Sequence, residues 1–370
     1  MIEMVFLLWI CMAMSSVNMI QGEKTEDPFY IIAHMANNRQ SIDWAVSQGA
    51  NGLENDFQFD DDGQPTVVEH GDPCDCYCSF TRTNICHRGL LGKCAGPKAS
   101  NTAANQLQYI AQLRNLALYI VDSKIEVNWN DRLIKAGQAI IPFLDRNLFE
   151  YGYRGQVIIS SAKMNTYDYI EAAVRTANNS INRDRYFFTF DGEDDDYQGV
   201  MSTLSRLTNR RVYGTGISAC GGKTFYFAIQ RAVIGKNNGE NGMTYIWTID
   251  KESSMREYIS RGVQGIITNR VAVAKRVAVS MGLTMAKPST AISVSDVSIS
   301  PVEKCDCDYH PGGCMISKAA PSGQACQCRY QFLWTCEGSI ISCDISLPKC
   351  VKPDRSKEAC ELGQGDCDGY

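Results

Sequence analysis

The chain has 370 residues, a hydrophobic content of 44% and a formal net charge of −5 at pH 7. A chain of this length and composition buries a full core, which argues against a mainly disordered protein. Its acidic balance and its lack of a long Lys/Arg run give no electrostatic footprint for nucleic acid, so we expect no nucleic-acid partner.

The first 22 residues resemble a secretory signal peptide. An apolar run from Val5 to Met14 is followed by small and polar residues that end at Gly22. Glu3 stands where such peptides usually carry Lys or Arg, and an uncleaved anchor is the alternative, although the run is short for a membrane span. We therefore predict a signal peptide at residues 1–22 and a secreted, extracellular protein.

The chain contains 17 cysteines, and Cys11 lies within the predicted signal peptide, so the mature chain keeps an even number. Disulfides and zinc sites both account for dense cysteine. Disulfides are favoured because paired C-x2-C knuckles with nearby histidines are missing and because secretion favours oxidation. The glycosylation sequon Asn178-Asn179-Ser180 permits this interpretation without establishing it.

Composition changes sharply in a Pro-, Ser- and Thr-rich stretch near residues 287–302. Ten cysteines fall at or after Cys305, whereas Cys220 is the one cysteine between Cys94 and Cys305. We therefore predict a main domain at residues 28–286, a linker at residues 287–302 and a small, cysteine-rich, disulfide-stabilised domain at residues 303–370.

Within the main domain, short strand-like apolar runs alternate with helix-length segments. Eight such runs are predicted as strands: Phe29–Met35, Gly52–Phe59, Leu116–Val127, Gln156–Ser161, Tyr186–Phe190, Arg211–Gly216, Thr244–Ile249 and Gln264–Thr268. Apolar residues at helical spacing, such as Leu133, Ala136 and Ile140, lie between most of them. Repeated β-then-α units predict a parallel α/β sheet. Eight units favour a closed (β/α)8 TIM barrel over an open doubly wound sheet, and no G-x-G-x-x-G follows the first strand.

A long loop from His70 to Gln106 interrupts this regular spacing. It follows the second strand and is rich in Gly, Pro, Asn, Thr and cysteine, the cysteines being Cys74, Cys76, Cys78, Cys86 and Cys94. Barrel enzymes place their chemistry on the loops that leave the C-terminal ends of the strands. We therefore expect this loop to lie at the active site.

Ionisable side chains occur within the predicted strands. Glu54 and Asp56 are two residues apart and project from the same face of one strand, and the neighbouring strand carries Asp122 and Lys124. Each residue alone is compatible with an ordinary polar strand end. Together they are costly to bury without a function, and three carboxylates suit a hard cation such as Mg2+. The sequence therefore predicts a Mg2+ site.

Two of the four histidines, His34 and His70, flank the carboxylate strand in sequence. Two imidazoles suit a reaction in which one group accepts a proton and the other donates one. His87 in the cysteine-rich loop and His310 in the tail are expected at the surface.

Aromatic residues alternate near the end of the predicted barrel. Tyr245 and Trp247 share one face of the seventh predicted strand, and Asn269 ends the eighth. If that face is the interior, Trp247 lines the pocket and its ring suits a cationic headgroup such as choline, the alternative being an indole packed as core.

Six short motifs follow one another along the main domain. They are Ala33-His34-Met35, Gly52-Leu53-Glu54-Asn55-Asp56, His70-Gly71-Asp72-Pro73-Cys74-Asp75-Cys76, Asp122-Ser123-Lys124, Trp247-Thr248-Ile249-Asp250-Lys251 and Gly265-Ile266-Ile267-Thr268-Asn269. Together and in this order they resemble the spider-venom sphingomyelinase D/phospholipase D family of dermonecrotic toxins, which is related to the glycerophosphodiester phosphodiesterases. The similarity covers residues 29 to about 282.

The resemblance implies that Glu54, Asp56 and Asp122 bind Mg2+ and that His34 and His70 perform the acid and base steps, in an order that the sequence leaves open. It also implies that Lys124 and Trp247 contact the substrate and that Asp191 matches a pocket position. Tyr245, Asp250 and Asn269 are predicted as further substrate-binding residues. In that family the lipid's own hydroxyl attacks the phosphate, so the headgroup leaves and a cyclic phosphate remains. The resemblance therefore implies that the substrate of this chain is a phospholipid at a membrane surface.

The resemblance further implies a disulfide between Cys76 and Cys220 and another from Cys74 to a cysteine of the same loop. This loop has more cysteines than the family pattern, and the tail at residues 303–370 is an addition to it. The tail is expected to bind a membrane, a matrix component or a protein, or to protect the enzyme, and we expect a monomer.

Two other functions stay open. The first is a glycerophosphodiester phosphodiesterase, whose barrel and metal site are similar, and the second is a non-catalytic secreted binding protein in which the barrel is a scaffold. The sequence does not decide between choline and ethanolamine headgroups, nor between sphingolipids and glycerolipids.

Overall fold

A computed structural model describes residues 27–70, 102–192, 196–217 and 225–294, together with the backbone of residues 307–309 and 315–317. The predicted signal peptide lies outside the described residues. So do most of the cysteine-rich loop, most of the tail, and the three cysteines of the predicted disulfides, which are Cys74, Cys76 and Cys220.

Every one of the eight predicted strands is present, and all eight run parallel in one sheet. A ninth strand, which the alternating pattern did not predict, forms an antiparallel hairpin with the second. In chain order the nine strands are β1 (Tyr30–Ala33), β2 (Gly52–Phe59), β3 (Pro65–Val68), β4 (Leu118–Ser123), β5 (Gln156–Ser161), β6 (Tyr186–Phe190), β7 (Tyr213–Gly216), β8 (Thr244–Trp247) and β9 (Gly265–Thr268). Two further short strands in the tail, β10 (Cys307–Tyr309) and β11 (Met315–Ser317), form a separate antiparallel pair.

The parallel strands follow the order β6-β5-β4-β2-β1-β9-β8-β7, and the sheet closes on itself between β6 and β7. The closure is a parallel bridge between Phe188 and Arg211, in which the Val212 amide donates to the Phe188 carbonyl at 3.1 Å. Sequential strands with intervening helices therefore form the predicted (β/α)8 barrel, which is confirmed.

Eight α-helices of the described residues surround the sheet. They are α1 (Arg39–Gln48), α2 (Ala103–Ile110), α3 (Asp131–Leu144), α4 (Tyr167–Ala177), α5 (Tyr197–Ser205), α6 (Tyr226–Asn237), α7 (Glu252–Ser260) and α8 (Val271–Ser280). A capping box begins α1, where the Ser41 amide donates to Asn38 Oδ1 at 2.9 Å, and Gly49 ends it with φ 98°. Among these described helices, none combines the length and the apolar character that crossing a membrane requires.

The pleat of the strands divides the core into two layers. Ile31, Leu53 and Val121 pack outward against the helices, whereas Ile32 and Ile120 fill the interior of the barrel. His34 lies two residues after Ile32, just past the end of β1, and Asp122 lies two residues after Ile120 on β4. Both therefore lie on the inward face of their strands. The alternation that builds the core therefore also directs polar side chains into the barrel mouth.

Strand β4 ends at Ser123, earlier than the predicted run to Val127. The Lys124 amide donates to the Phe57 carbonyl at 3.0 Å, and the Ile125 amide then turns back to the Ser123 carbonyl at 2.9 Å. A short 3-10 helix follows at Val127–Trp129. The turn places Lys124 at the rim of the mouth, directly beside the strand end.

Candidate active site

Three carboxylates meet at the C-terminal ends of β2 and β4. Asp56 and Asp122 are directly paired across the two strands, and Glu54 lies two residues before Asp56 on the same face. One carboxylate oxygen from each of the three residues lies within 4.8 Å of those from the other two. Such an all-oxygen cluster can hold a hard metal ion.

The Lys124 ammonium lies between two of these carboxylates. Its Nζ atom is 2.8 Å from Asp56 Oδ1 and 2.6 Å from Asp122 Oδ2. Both carboxylates raise the pKa of Lys124 and outweigh the opposing effect of its burial, so the side chain stays charged. The ammonium thus supplies one positive charge against three acidic groups.

The charge balance of the cluster favours a further cation. Burial, followed by the charges of Asp56 and Asp122, raises the pKa of Glu54 well above its usual value. Burial also acts to raise the pKa of Asp56, but Lys124, His70 and a hydrogen bond from Asn37 outweigh it and lower that pKa. A divalent ion would offset the repulsion among the carboxylates that contributes to the raised pKa of Glu54, so the donor set and its electrostatics both fit a metal.

His34 follows β1 and is buried, with 7% of its surface exposed. Its Nδ1 atom is 3.0 Å from Asn269 Oδ1. The Asp250 carboxylate accepts the Asn269 backbone amide at 2.8 Å and its side-chain Nδ2 at 3.1 Å. Because the carboxylate only accepts, the Asn269 amide nitrogen must face it, and the amide oxygen must face His34.

The hydrogen-bond chain from Asp250 through Asn269 therefore assigns the proton of neutral His34 to Nδ1. The Nε2 atom then carries the lone pair, and it lies 3.5 Å from Thr248 Oγ1. An imidazole in this tautomer can accept a proton at Nε2. Asn269 thus positions His34 by direct contact, and Asp250 acts on His34 through Asn269.

His70 stands at the end of the β2–β3 hairpin. Strand β3 returns toward the mouth along β2, and the Glu69 amide donates to the Asp56 carbonyl at 3.0 Å. The half-buried His70 is close enough for its charge to lower the pKa of Asp56. The hairpin therefore brings the second histidine to the acidic cluster, on the β2 side of the mouth.

Asp191, Tyr245 and Trp247 form a connected group on the other side of the mouth. The Tyr245 hydroxyl donates to Asp191 Oδ2 at 2.7 Å, and Trp247 Nε1 donates to the Asp191 carbonyl at 3.0 Å. Burial and then the charge of Asp122 raise the pKa of Asp191 to about 7, against opposing hydrogen bonds. Tyr245 is fully buried, whereas Trp247 is half-buried and reaches the opening.

Two asparagines to which the sequence analysis assigned no role, Asn37 and Asn55, hold the site together. Asn37 donates from Nδ2 to Asp56 and accepts the Asp56 backbone amide at 3.0 Å. Asn55 donates to the Ala36 carbonyl at 2.6 Å and accepts the Tyr119 hydroxyl at 2.8 Å. Both are fully buried. The sequence did contain a signal for each. Asn37 belongs to a pair of asparagines that follows the first predicted strand, and Asn55 lies between Glu54 and Asp56.

The structure thus gathers at one mouth all the predicted site residues that it describes. The acidic cluster with Lys124 and His70 lies at the ends of β2 and β4, and His34 follows the neighbouring strand β1 with its partners after β8 and β9. The Asp191 group lies after β6 and on β8. The predicted loop disulfides lie outside the described residues, and their pairing stays a prediction.

Comparison with known proteins identifies relatives of this chain. The family model of the dermonecrotic toxin SPH matches residues 24–283. A dermonecrotic toxin of Loxosceles apachea is 28% identical over 253 residues, covering 65% of this chain and 88% of the toxin. One of Loxosceles boneti is 27% identical over 270 residues, covering 68% of this chain and 90% of the toxin.

Among solved structures, one described as a glycerophosphoryl diester phosphodiesterase from Silicibacter pomeroyi matches with a TM-score of 0.50 and 12% identity. The match covers 70% of this chain and 96% of that one, and it supports the barrel fold. The toxin family model spans well over half of the 370 residues. This match confirms the predicted family and the phospholipase D type of phosphodiesterase, and the solved structure agrees with the predicted barrel. The chain therefore belongs to the dermonecrotic toxin SPH family.

Proposed function

We propose that the protein is a secreted, Mg2+-dependent phospholipase D that releases the headgroup of sphingomyelin or of a lysophospholipid. The observation that carries this proposal is the mouth itself. Three clustered carboxylates, a lysine and two histidines surround one opening at the C-terminal end of the barrel. Such a set suits the cleavage of an anionic phosphodiester.

Glu54, Asp56 and Asp122 are the residues that hold the metal in this proposal. A bound Mg2+ supplies positive charge that offsets the charge of the phosphate and helps to orient it. Lys124 already lies at the cluster, within 2.8 Å of Asp56. Its ammonium stabilises the negative charge that grows on the phosphate oxygens.

His34 acts as the base. Its Nε2 atom accepts the proton of the attacking lipid hydroxyl, while the Nδ1 hydrogen bond to Asn269 at 3.0 Å holds the ring and stabilises the imidazolium that forms. The hydroxyl oxygen bonds to phosphorus, and the bond from phosphorus to the headgroup oxygen breaks. His70, on the opposite side, donates a proton to that departing oxygen.

The products are a free headgroup alcohol, such as choline or ethanolamine, and a lipid with a cyclic phosphate. Because the nucleophile belongs to the substrate, its proximity lowers the entropic cost of the attack. Trp247, whose ring is fixed by the hydrogen bond to the Asp191 carbonyl at 3.0 Å, contacts the cationic headgroup. Asp191 and the buried Tyr245 line the same pocket behind it.

The location and partners follow from the same proposal. The substrate is a phospholipid at a membrane surface, reached by peripheral contact of a secreted enzyme. The described residues of one chain supply all the ligands and both histidines, which favours a monomer. The tail at residues 303–370 is proposed to bind a protein, a matrix component or a membrane.

A 31P NMR assay tests the proposal. The protein is incubated with Mg2+ and, separately, with sphingomyelin, lysophosphatidylcholine and glycerophosphocholine. A cyclic phosphate product from either lipid is the expected result. Linear glycerophosphate from glycerophosphocholine alone would instead assign a glycerophosphodiester phosphodiesterase.

Two variants sharpen this assay. His34→Ala is expected to abolish product formation, and removal of Mg2+ with a chelator is expected to do the same for the unaltered protein. If neither change alters any activity and no Mg2+ binds, the non-catalytic binding function must be adopted. Arg175→Ala, on an exposed helix position far in the fold from the mouth, serves as the control variant.

A further inference from the structure

The sequon at Asn178 lies on the face of the barrel opposite the mouth. Helix α4 (Tyr167–Ala177) follows β5 and runs back along the outside of the sheet, so its last residue reaches the face where the strands begin. Asn178 is the exposed C-cap of this helix. The motif Asn178-Asn179-Ser180 has no proline at its middle position. A large group attached here does not obstruct the active site.

The side-chain amide of Asn178 is oriented by one neighbour. Arg210 donates from Nη2 to Asn178 Oδ1 at 2.6 Å. An N-linked sugar is attached to the Nδ2 atom and leaves the amide oxygen as an acceptor. The contact with Arg210 is therefore compatible with modification. It engages the amide oxygen of Asn178 and does not use the Nδ2 atom to which a sugar would be attached.

The third residue of the sequon is engaged in the fold. Ser180 is 9% exposed, its hydroxyl donates to Asp145 Oδ2 at 2.7 Å, and it accepts the Asn182 amide at 3.0 Å. A transferase that must contact this hydroxyl reaches it before the segment folds. Sugar transfer during entry into the secretory pathway meets this condition, because the segment is then still extended.

The surface next to the sequon is open enough for a sugar. It also carries an apolar side chain that a sugar would cover. Ile181, three residues after Asn178, is 97% exposed. Asn179 on one side and Arg183 on the other are exposed as well. Single apolar side chains are ordinary at a protein surface, so Ile181 shows only that the surface beside Asn178 is open.

We propose that Asn178 carries an N-linked glycan, added to the unfolded segment as the chain enters the secretory pathway. The Asn178 Nδ2 atom forms a bond to the anomeric carbon of an oligosaccharide held on a lipid diphosphate. The bond from that carbon to the diphosphate oxygen breaks, and the nitrogen loses a proton as the lipid diphosphate leaves. This inference rests on the secretion that belongs to the proposed function, and it is independent of the enzyme's activity.

The test expresses the full chain in a eukaryotic secretory host and analyses the protein recovered from the medium. Release of the glycan by a peptide:N-glycosidase in 18O water is expected to convert Asn178 into an 18O-labelled aspartate, which peptide mass spectrometry locates. Asn178→Gln is expected to lose one glycan's mass. The matched control Asn179→Gln keeps the sequon and is expected to retain the glycan.

The same variants are translated with microsomes, where the glycan is counted on the gel whether or not the variant folds. Ser180→Thr, which strengthens the acceptor motif, is expected to raise the modified fraction. An unmodified Asn178 in protein recovered from the medium overturns the glycan and leaves secretion and activity intact. If the chain never enters microsomes, both the proposed secretion and the proposed glycan are wrong. The 31P assay tests the phospholipase D activity separately.

Discussion

The substitution Asp250→Asn tests whether a hydrogen-bond chain fixes the protonation of His34. Asp250 accepts three hydrogen bonds, from the Thr268 hydroxyl at 2.9 Å, the Asn269 amide at 2.8 Å and Asn269 Nδ2 at 3.1 Å. An asparagine at this position keeps one oxygen for the first two donors. Its new amino group then faces Asn269 Nδ2, which places donor against donor.

Asn269 relieves this conflict by rotating its side-chain amide. Its Nδ2 then faces His34 Nδ1, which must act as an acceptor and moves its proton to Nε2. Restoring the competent tautomer costs about one hydrogen bond to a charged group, roughly 1.5–3 kcal/mol. Since each 1.4 kcal/mol is a factor of ten, kcat is expected to fall roughly 10- to 150-fold. The KM should change little, because Asp250 acts through Asn269.

Headgroup release from lysophosphatidylcholine measures kcat and KM, and the 15N chemical shifts of the His34 ring report its tautomer. Thr268→Val is the matched control, since it removes one donor to Asp250 and leaves the acceptor that faces Asn269 Nδ2. It is expected to cost about 1 kcal/mol of stability with an unchanged tautomer. An Asp250→Asn variant with wild-type kcat and an Nδ1 proton on His34 would refute the reasoning.

Three further outcomes follow from the site. Mg2+ at 100 times its Kd should raise the free energy of unfolding by about 2.7 kcal/mol and the Tm by roughly 5–10 °C. The Glu54→Gln variant should lose most of this gain. An equal rise in Tm for the wild type and the variant counts against the metal site. Trp247→Phe removes the 3.0 Å hydrogen bond to the Asp191 carbonyl. It should lower the free energy of unfolding, measured by denaturant titration, by about 1 kcal/mol and raise the KM for choline substrates. An unaltered KM contradicts the headgroup contact. The pKa of Asp191 is raised from 3.8 to about 7, so its neutral form stabilises the fold fully below pH 3.8 and this contribution is lost as the pH rises through 7. In metal-free protein, the stability of the wild type relative to Asp191→Asn should therefore fall across this range by about 4 kcal/mol at most, and a flat difference would show that the burial of Asp191 has no such effect.

The fold was predictable because its signals are local. Each parallel strand is a short apolar run that packs on both faces, and the eight predicted runs all contain a strand of the barrel. The β3 hairpin escaped prediction because Pro65–Val68 is only four residues long and pairs with β2 through a turn that resembles the start of a loop. The early end of β4 escaped it because the turn at Lys124 depends on the Phe57 carbonyl of the neighbouring strand.

The site was predictable where ionisable residues interrupt apolar strands. Glu54, Asp56 and Asp122 stand out in this way, and their carboxylates do meet. Asn37 gave no such signal, because an asparagine after a strand is also an ordinary turn or cap residue. Only the folded chain shows that it binds both the backbone and the side chain of Asp56.

The amino-acid sequence by itself determined the number of β/α units, the inward direction of the polar side chains and the family, since alternation and short motifs are properties of neighbouring residues. The tertiary structure decided which groups meet. The register between β2 and β4 pairs Asp56 with Asp122, and closure of the barrel brings His34 to Asn269, 235 positions away in the chain. Contacts of this kind depend on how distant segments align, and the charge of Lys124 and the tautomer of His34 follow from them.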